Sequence, residues 1–250
     1  LLFGMSTVSV SKNNKHVKGT VTLSGSKSIS NRVLIIRSLC KDDFNIENLS
    51  DSDDTKTLEQ LLDSKADELD AHHAGTTYRF LTSLLATNEG EKILTGSERM
   101  QERPIKELVD ALNSLGANIS YVRNEGFPPL RIGSPRHPFK NAIELSANIS
   151  SQYISSLLLI APTLPEGLTI HLKGEIVSKP YLEMTLGIME YFGIKHSWEG
   201  QSIVIRPQNY KARDFYVEAD WSAASYYYVI SALSDEVDLT LKGLDKDSLQ

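Results

Sequence analysis

The sequence predicts an α/β fold built from repeated units, on three observations. Hydrophobic periodicity switches repeatedly between the two-residue alternation of strands and the 3.6-residue stripe of helices. Helix starts fall into two recurring sets, one near Lys27, Gly75, Ser151 and Trp221, the other near Thr55, Pro104 and Pro180. Equivalent positions recur at long intervals, 77 residues from Gly116 to Gly193 and 72 from Gln152 to Ala224. Such intervals point to pseudo-symmetric packing of a helix, strand, amphipathic helix and strand-pair unit, because solenoid repeats are shorter.

In chain order, Val17 to Leu23 alternates like a half-buried strand. Beyond Gly25-Ser26 the period changes, and Ile29, Val33, Ile36 and Cys40 form one helical stripe. The first unit is short, about 48 residues. Pro104 marks a helix start, with Ile105, Leu108, Val109, Leu112 and Leu115 on one face and Gly116 as the stop. Asn118 to Val122 follows as a strand. The pattern returns at Pro180, with a helix through Leu186 and Met189 to Phe192-Gly193 and a strand over Ile194 to Trp198. A helix over Trp221 to Leu233 and a strand over Val237 to Leu241 open a further unit. The expected division is 1–16, an N-terminal tail and first-strand region; 17–213, a complete three-unit domain; and 214–250, the truncated opening of a second such domain.

The 250 residues are 40% hydrophobic and 23% charged, values of an ordinary globular protein, which excludes disorder and fibrous or disulfide-stapled classes. No apolar run approaches the roughly 20 residues of a membrane span. The single cysteine, Cys40, excludes an internal disulfide and fits a reducing compartment. No secretion leader is read, Leu1 to Gly4 ahead of Met5 are set aside as a remnant, and a cytoplasmic location is expected. The net charge of −6 argues against nucleic-acid and membrane partners. Its distribution is uneven: residues 1–40 carry six Lys or Arg and no acid, residues 41–70 eleven acids and three lysines. A basic opening on an acidic chain suggests a local anion site.

Four helices open with small or polar residues: Gly25-Ser26-Lys27-Ser28, Ala74-Gly75-Thr76, Ser150-Ser151-Gln152 and Asp220-Trp221-Ser222. Free N–H groups and the dipole make a helix N-terminus an anion site, although capping explains any one of these alone. Ser28 and Arg32, four apart, share a face beyond Lys27, and Arg32 lies off the apolar stripe. A P-loop is excluded, since Val21 and Ser26 stand where it needs glycines. Asp51, Asp53 and Asp54 precede a helix, where carboxylates suit the dipole. Arg99 and Arg103 flank a helix start, a poor place for cations unless an anion is near. The adjacent His72 and His73 diverge and lack partners at zinc-ligand spacing, so no metal is expected. Cys40, on the apolar stripe, reads as a buried structural thiol.

Together these segments resemble the 5-enolpyruvylshikimate-3-phosphate (EPSP) synthase family. The carrying residues are Leu23 to Arg32, Asp51 to Asp54, Ala74 to Arg79, Met100 to Ile105, Ser150 to Tyr153, Val177 to Tyr181 and Glu218 to Ser222. The resemblance implies the enolpyruvyl transferase fold, a pseudo-threefold domain of βαβαββ-type units followed by a second similar one. It implies transfer of the enolpyruvyl group of phosphoenolpyruvate to the 5-hydroxyl of shikimate 3-phosphate, with no metal or organic cofactor, by a monomer. By the same resemblance Lys27 bridges both substrates, and Ser28 and Arg32 bind the shikimate carboxylate. Ser150, Ser151 and Ser178 hold its 3-phosphate and Tyr181 packs on its ring. Gly75, Arg103 and Gln152 take the phosphate end of phosphoenolpyruvate, and Asp54, Arg79, Arg99 and Asp220 stand behind. The family's acid–base carboxylates come from a later part of the chain, so the catalytic residues themselves are unassigned and this polypeptide is expected to be inactive alone.

Three departures from the family pattern are visible. His73 replaces the usual Asn before Ala-Gly-Thr, Phe80 replaces a common Pro, and the first unit lacks a strand pair at Leu62 to Leu69. Both substitutions put phosphoenolpyruvate affinity and inhibitor response in question. The sister enzymes that use a UDP-amino sugar carry Lys-Asn where this chain has Lys27-Ser28, and a loop cysteine that Cys40 does not match. The alternative function is a non-catalytic module for phosphorylated carboxylates, or a structural repeat domain that binds nothing.

Overall fold

The structure, a computed structural model, describes residues 9, 11 and 14–250; the segment Leu1 to Gly4 lies outside the described residues. Strand β1 (His16–Thr22) leads into helix α1 (Lys27–Leu39), β2 (Ile46–Glu47) and α2 (Asp53–Leu62). There follow β3 (Glu68–Asp70), α3 (Gly75–Leu85), β4 (Glu91–Thr95), the single turn α4 (Glu98–Gln101), α5 (Lys106–Leu115), β5 (Asn118–Tyr121) and β6 (Leu130–Gly133). Next come β7 (Ala142–Ser146), α6 (Ser151–Ile160), β8 (Leu168–Lys173), α7 (Lys179–Tyr191), β9 (His196–Glu199) and β10 (Ser202–Ile205). Last are β11 (Phe215–Tyr216), α8 (Trp221–Ala232) and β12 (Glu236–Lys242).

The α/β repeat is explicit in the sheets. One has the order β3-β4-β6-β5 and another β7-β8-β10-β9. In each, the first two strands are parallel and the rest antiparallel, so the βαβαββ unit occurs twice. The third unit is reduced to β11 and β2, which pair in parallel as β3 and β4 do. Helix α2 then turns directly into β3 with no hairpin between them, which is where the strand pair is lacking.

Helices α1, α3 and α6, the first of each unit, pack on one another at the centre. The single apolar stripe read for α1 is corrected here: Ile29 through Ile36 are all buried, Arg32 included, because neighbours surround this helix. Residues Leu157 to Ile160 of α6 are fully buried, each worth about 1.5–3 kcal/mol of transfer free energy. Some polar residues between the helices satisfy one another, as where Ser83 donates to Ser156 at 2.7 Å, while Asn31 Nδ2 on α1 has no partner among the described residues. The outer helix α5 keeps its expected stripe, with Leu108, Val109, Leu112 and Leu115 buried. It ends at Gly116, whose φ of 126° suits glycine; Gly193, at 86°, follows α7 in the same way.

Two boundaries differ from expectation. The strand read at Ile194 begins at His196, because Ile194 donates its N–H back to Met189 at 3.0 Å and closes the helix. Strand β1 pairs in parallel with β12, from His16 opposite Glu236 to Thr22 opposite Lys242. A division at 17 and 214 therefore cuts through this ladder, which pairing across 220 residues hides from local sequence patterns.

Cys40 is also corrected: it is half-buried at the end of α1, not on a buried stripe. Burial, with Asp42 adding to it, pushes its thiol up to about 11. At pH 8 only about 0.1% of a thiol with that pKa is thiolate, against about 10–25% of an ordinary one. Alkylation by iodoacetamide at pH 8 is therefore expected to run about 100-fold slower than for a free cysteine. A rate like that of free cysteine would show the thiol to be unshielded.

Candidate anion site at three helix N-termini

The N-termini of α1, α3 and α6 meet at one end of the central trio. Gln152 Nε2 donates to Thr76 Oγ1 at 3.2 Å, joining α6 to α3, and Arg32 Nη2 donates to Ser155 Oγ at 3.1 Å, joining α1 to α6. Helix α8 arrives beside them, since the Lys27 N–H donates to Asp220 Oδ2 at 3.2 Å. Between these ends lies a cavity of about 400 Å³. Its lining comprises Lys27, Ser28 and Arg32 from α1, Thr76 from α3, Ser150, Ser151 and Gln152 around the start of α6, Tyr181 from α7, and Asp220 and Ser222 around the start of α8. An adjoining cavity of about 420 Å³ shares Ser28, Tyr181 and Ser222 and adds Met184 and Trp221.

Capping differs from helix to helix. Ser52 accepts from the Thr55 N–H on α2 and Ser97 from the Met100 N–H on α4, while the N-caps of α5 and α7 make no side-chain cap bond. Asp220 caps α8 in the same way through the Ala223 N–H. The N-caps of the central trio, Ser26, Ala74 and Ser150, make no side-chain cap bond. Three sets of partly unsatisfied N–H groups and three positive dipole ends thus point toward one place.

The cations add to this field. Arg32 is 3% exposed and has no carboxylate in ion-pairing distance among the described residues. Burial lowers its pKa to about 10, so it remains a cation at neutral pH. Arg79 and Arg103 lie together beside Gly75: Arg79 Nη1 donates to the Gly75 carbonyl at 3.0 Å, and burial and then Arg79 depress the Arg103 pKa. Arg79 Nε has no partner. Two like charges held together at a helix N-terminus are destabilised until an anion joins them. Lys27 is better balanced, with Asp54 Oδ1 3.8 Å from its Nζ.

A Cβ at Gly75 would collide with the Arg103 guanidinium and stand 2.7 Å from Arg79 Nη1. The side chains can swing aside, so the fold is spared while the cation pair is displaced. Gly75→Ala is expected to weaken inorganic phosphate binding about tenfold, one charge-assisted contact, with the melting temperature within about 3 °C of the parent. Unchanged phosphate affinity would show that this pair takes no anion.

Of the expected site residues, Asp54, Gly75, Arg79, Arg99, Arg103 and Ser178 are outside both linings. Ser178 is the uncapped N-cap of α7, next to Tyr181 in the fold but outside both linings. Arg99, on the single turn α4, is exposed and pairs with Glu102 at 2.8 Å. His72 and His73 pair with different acids, Asp70 and Asp53. Thr76 and Ser222, named in the helix-start pattern but given no role, line the cavity, and sequence reasoning missed Ser155 and Thr185, which hold Arg32 and leave no local signal.

Comparison with known proteins yields a consistent set. A family model described as EPSP synthase (3-phosphoshikimate 1-carboxyvinyltransferase) matches residues 11–64 and 57–250. A 3-phosphoshikimate 1-carboxyvinyltransferase of Bacteroides fragilis (strain YCH46) is 52% identical over 235 residues, covering 94% of this chain and 57% of the relative. The enzyme of that name from Shewanella pealeana is 40% identical over 266 residues, covering 94% and 62%. The chain thus spans about 57–62% of the length of these curated relatives. A solved EPSP synthase from Acinetobacter baumannii superposes with a TM-score of 0.78 at 20% identity, over 94% of this chain and 58% of that one, a likeness of fold.

Proposed function

This chain belongs to the EPSP synthase family, and on that premise we propose that its cavity binds shikimate 3-phosphate and phosphoenolpyruvate for enolpyruvyl transfer. The observation that carries this reading is the meeting of three uncapped helix N-termini with unpaired arginines, a field suited to two multiply charged anions. In the transfer a bond forms between the 5-oxygen and C2 of phosphoenolpyruvate, and the bond from C2 to the phosphate oxygen breaks. The hydroxyl loses a proton and the methylene carbon gains one to form a tetrahedral intermediate; as phosphate leaves, the new methyl group gives up a proton and the carbon–carbon double bond is restored.

The proposed roles follow the two ends of the site. Ser28 and Arg32 take the shikimate carboxylate, with Tyr181 against the ring and Ser150, Ser151 and Ser178 around the 3-phosphate. Lys27, steadied by Asp54, lies between the two substrates. Gly75, Arg103 and Gln152 hold the phosphate of phosphoenolpyruvate, with Arg79 behind them. Asp220 fixes the approach of α8 to α1. Residues 214–250 are read as the opening of a second domain, with β1 added to it by its pairing with β12. Turnover is assigned to the full-length protein, a monomer of the cytoplasm; these 250 residues supply binding. Among the described residues no helix is long and apolar enough to cross a membrane.

The test is the heat of binding of shikimate 3-phosphate, with unphosphorylated shikimate as the control. The phosphorylated compound is expected to bind at least about tenfold more tightly, the worth of one charge-assisted contact. Equal affinities would remove the 3-phosphate site, and binding of both without turnover by the full-length protein would favour the non-catalytic module.

A further inference from the structure

Arg32 donates from Nε to Thr185 Oγ1 at 2.8 Å and from Nη2 to Ser155 Oγ at 3.1 Å. Thr185 Oγ1 donates to the Tyr181 carbonyl at 2.7 Å and lies 2.9 Å from Ser155 Oγ. These contacts determine the direction of every proton. Thr185 has one hydroxyl proton, committed to Tyr181, so Ser155 must donate to Thr185. Thr185 then accepts twice and donates once, and Ser155 accepts from Arg32 and donates to Thr185. Both hydroxyls present lone pairs to the guanidinium and cannot reverse. The second N–H of Nη2 goes to the Tyr181 carbonyl at 3.5 Å and one N–H of Nη1 to the Ser28 carbonyl at 2.8 Å, leaving the other N–H of Nη1 for the cavity that Arg32 lines. The ring of Phe80 on α3 faces the guanidinium from 5.5 Å. Three neighbouring helices thus hold one cation whose charge no carboxylate among the described residues neutralises.

We propose that Thr185 and Ser155 are positioning residues, which aim the Arg32 guanidinium so that its remaining N–H meets the substrate carboxylate. The inference rests on the reading of Arg32 as the carboxylate-binding cation. Neither hydroxyl touches substrate; each acts through Arg32. A threonine with only a packing role would be replaced by valine at little cost to binding, since the shapes match.

The test compares Thr185→Val, Ser155→Ala, Thr185→Ser and Arg32→Met in the full-length protein, by KM for each substrate and by melting temperature. Thr185→Val is expected to raise KM for shikimate 3-phosphate about tenfold and leave KM for phosphoenolpyruvate within about twofold. Ser155→Ala raises the first about threefold, and Thr185→Ser, which restores the hydroxyl, stays within about twofold of the parent. The proposal is overturned if Thr185→Val shifts both constants alike, or neither, while Arg32→Met still destroys shikimate 3-phosphate binding. If Arg32→Met leaves that binding intact, the carboxylate reading of Arg32 fails and takes this inference with it. Should Thr185→Val not fold, the same split is read from Ser155→Ala, which removes one hydroxyl from the same network.

Discussion

Gly25→Ala is expected to destabilise the protein by about 3 kcal/mol or more, the upper range for a forced overlap. A Cβ at this position would fall onto the Asn48 carbonyl oxygen and lie 3.1 Å from Val217 Cγ1. The obstacle is backbone, so no rotamer change relieves it. Asn48 cannot retreat: it sits at φ 57° and its Nδ2 donates to the Val217 carbonyl at 2.8 Å. Gly25 cannot retreat either, being bridged to Ala219 while Ser26 donates its N–H to the Glu218 carbonyl at 2.8 Å. This crossing joins β1, the start of α1 and the approach to α8, so a shift here also moves Lys27 and Ser28. Urea denaturation checks the prediction. A midpoint equal to the parent's would show that the segments separate freely.

Arg32→Met is expected to reduce shikimate 3-phosphate affinity about 100-fold or more, because it removes a buried charge-assisted contact to a carboxylate. Its effect on stability is expected to be small, a melting temperature within a few degrees of the parent. The fold holds a guanidinium away from water with no acid beside it, and burial lowers its pKa to about 10 from 12.5. A cation with a depressed folded pKa binds its proton less well in the native state than in the unfolded one. The charged form therefore opposes folding at neutral pH, and that opposition fades only as pH rises through about 10 and beyond. Methionine is long enough to fill the space but leaves Ser155 and Thr185 to bond each other. Binding calorimetry and thermal denaturation together decide the matter. Affinity within about threefold of the parent would remove Arg32 from the substrate site.

Much of the fold was legible because its signals are local. The first residues of α1, α3, α6 and α8 stand at the positions read as helix starts, since small and polar residues before an apolar run mark them wherever the rest of the chain lies. Gly116 and Gly193 could be read as stops because their positive φ suits glycine. The long repeat survived as spacing, and the structure turns it into two sheets of identical strand order. By contrast, Cys40 and Ile194 were placed too deep or too early, as burial and strand ends depend on what packs from elsewhere. Arg99 and Arg103 are four residues apart and flank the same helix start in the sequence. One turn of α4 sends the first to Glu102, while the second lies beside Arg79.

The sequence by itself determined the α/β class, the repeat, the helix starts and the set of polar residues at them, because propensity, capping chemistry and periodicity act within a few residues. Only the tertiary structure decided that three of those starts converge without side-chain caps, that β1 belongs beside β12, and that Arg32 is held by Ser155 and Thr185. Those facts join residues 76 to 220 apart, and no local pattern records which distant surfaces must share one core. A helix buried on every side has no stripe to announce its partners. The site exists because three such helices end at the same place, a consequence of packing that each start, read alone, cannot reveal.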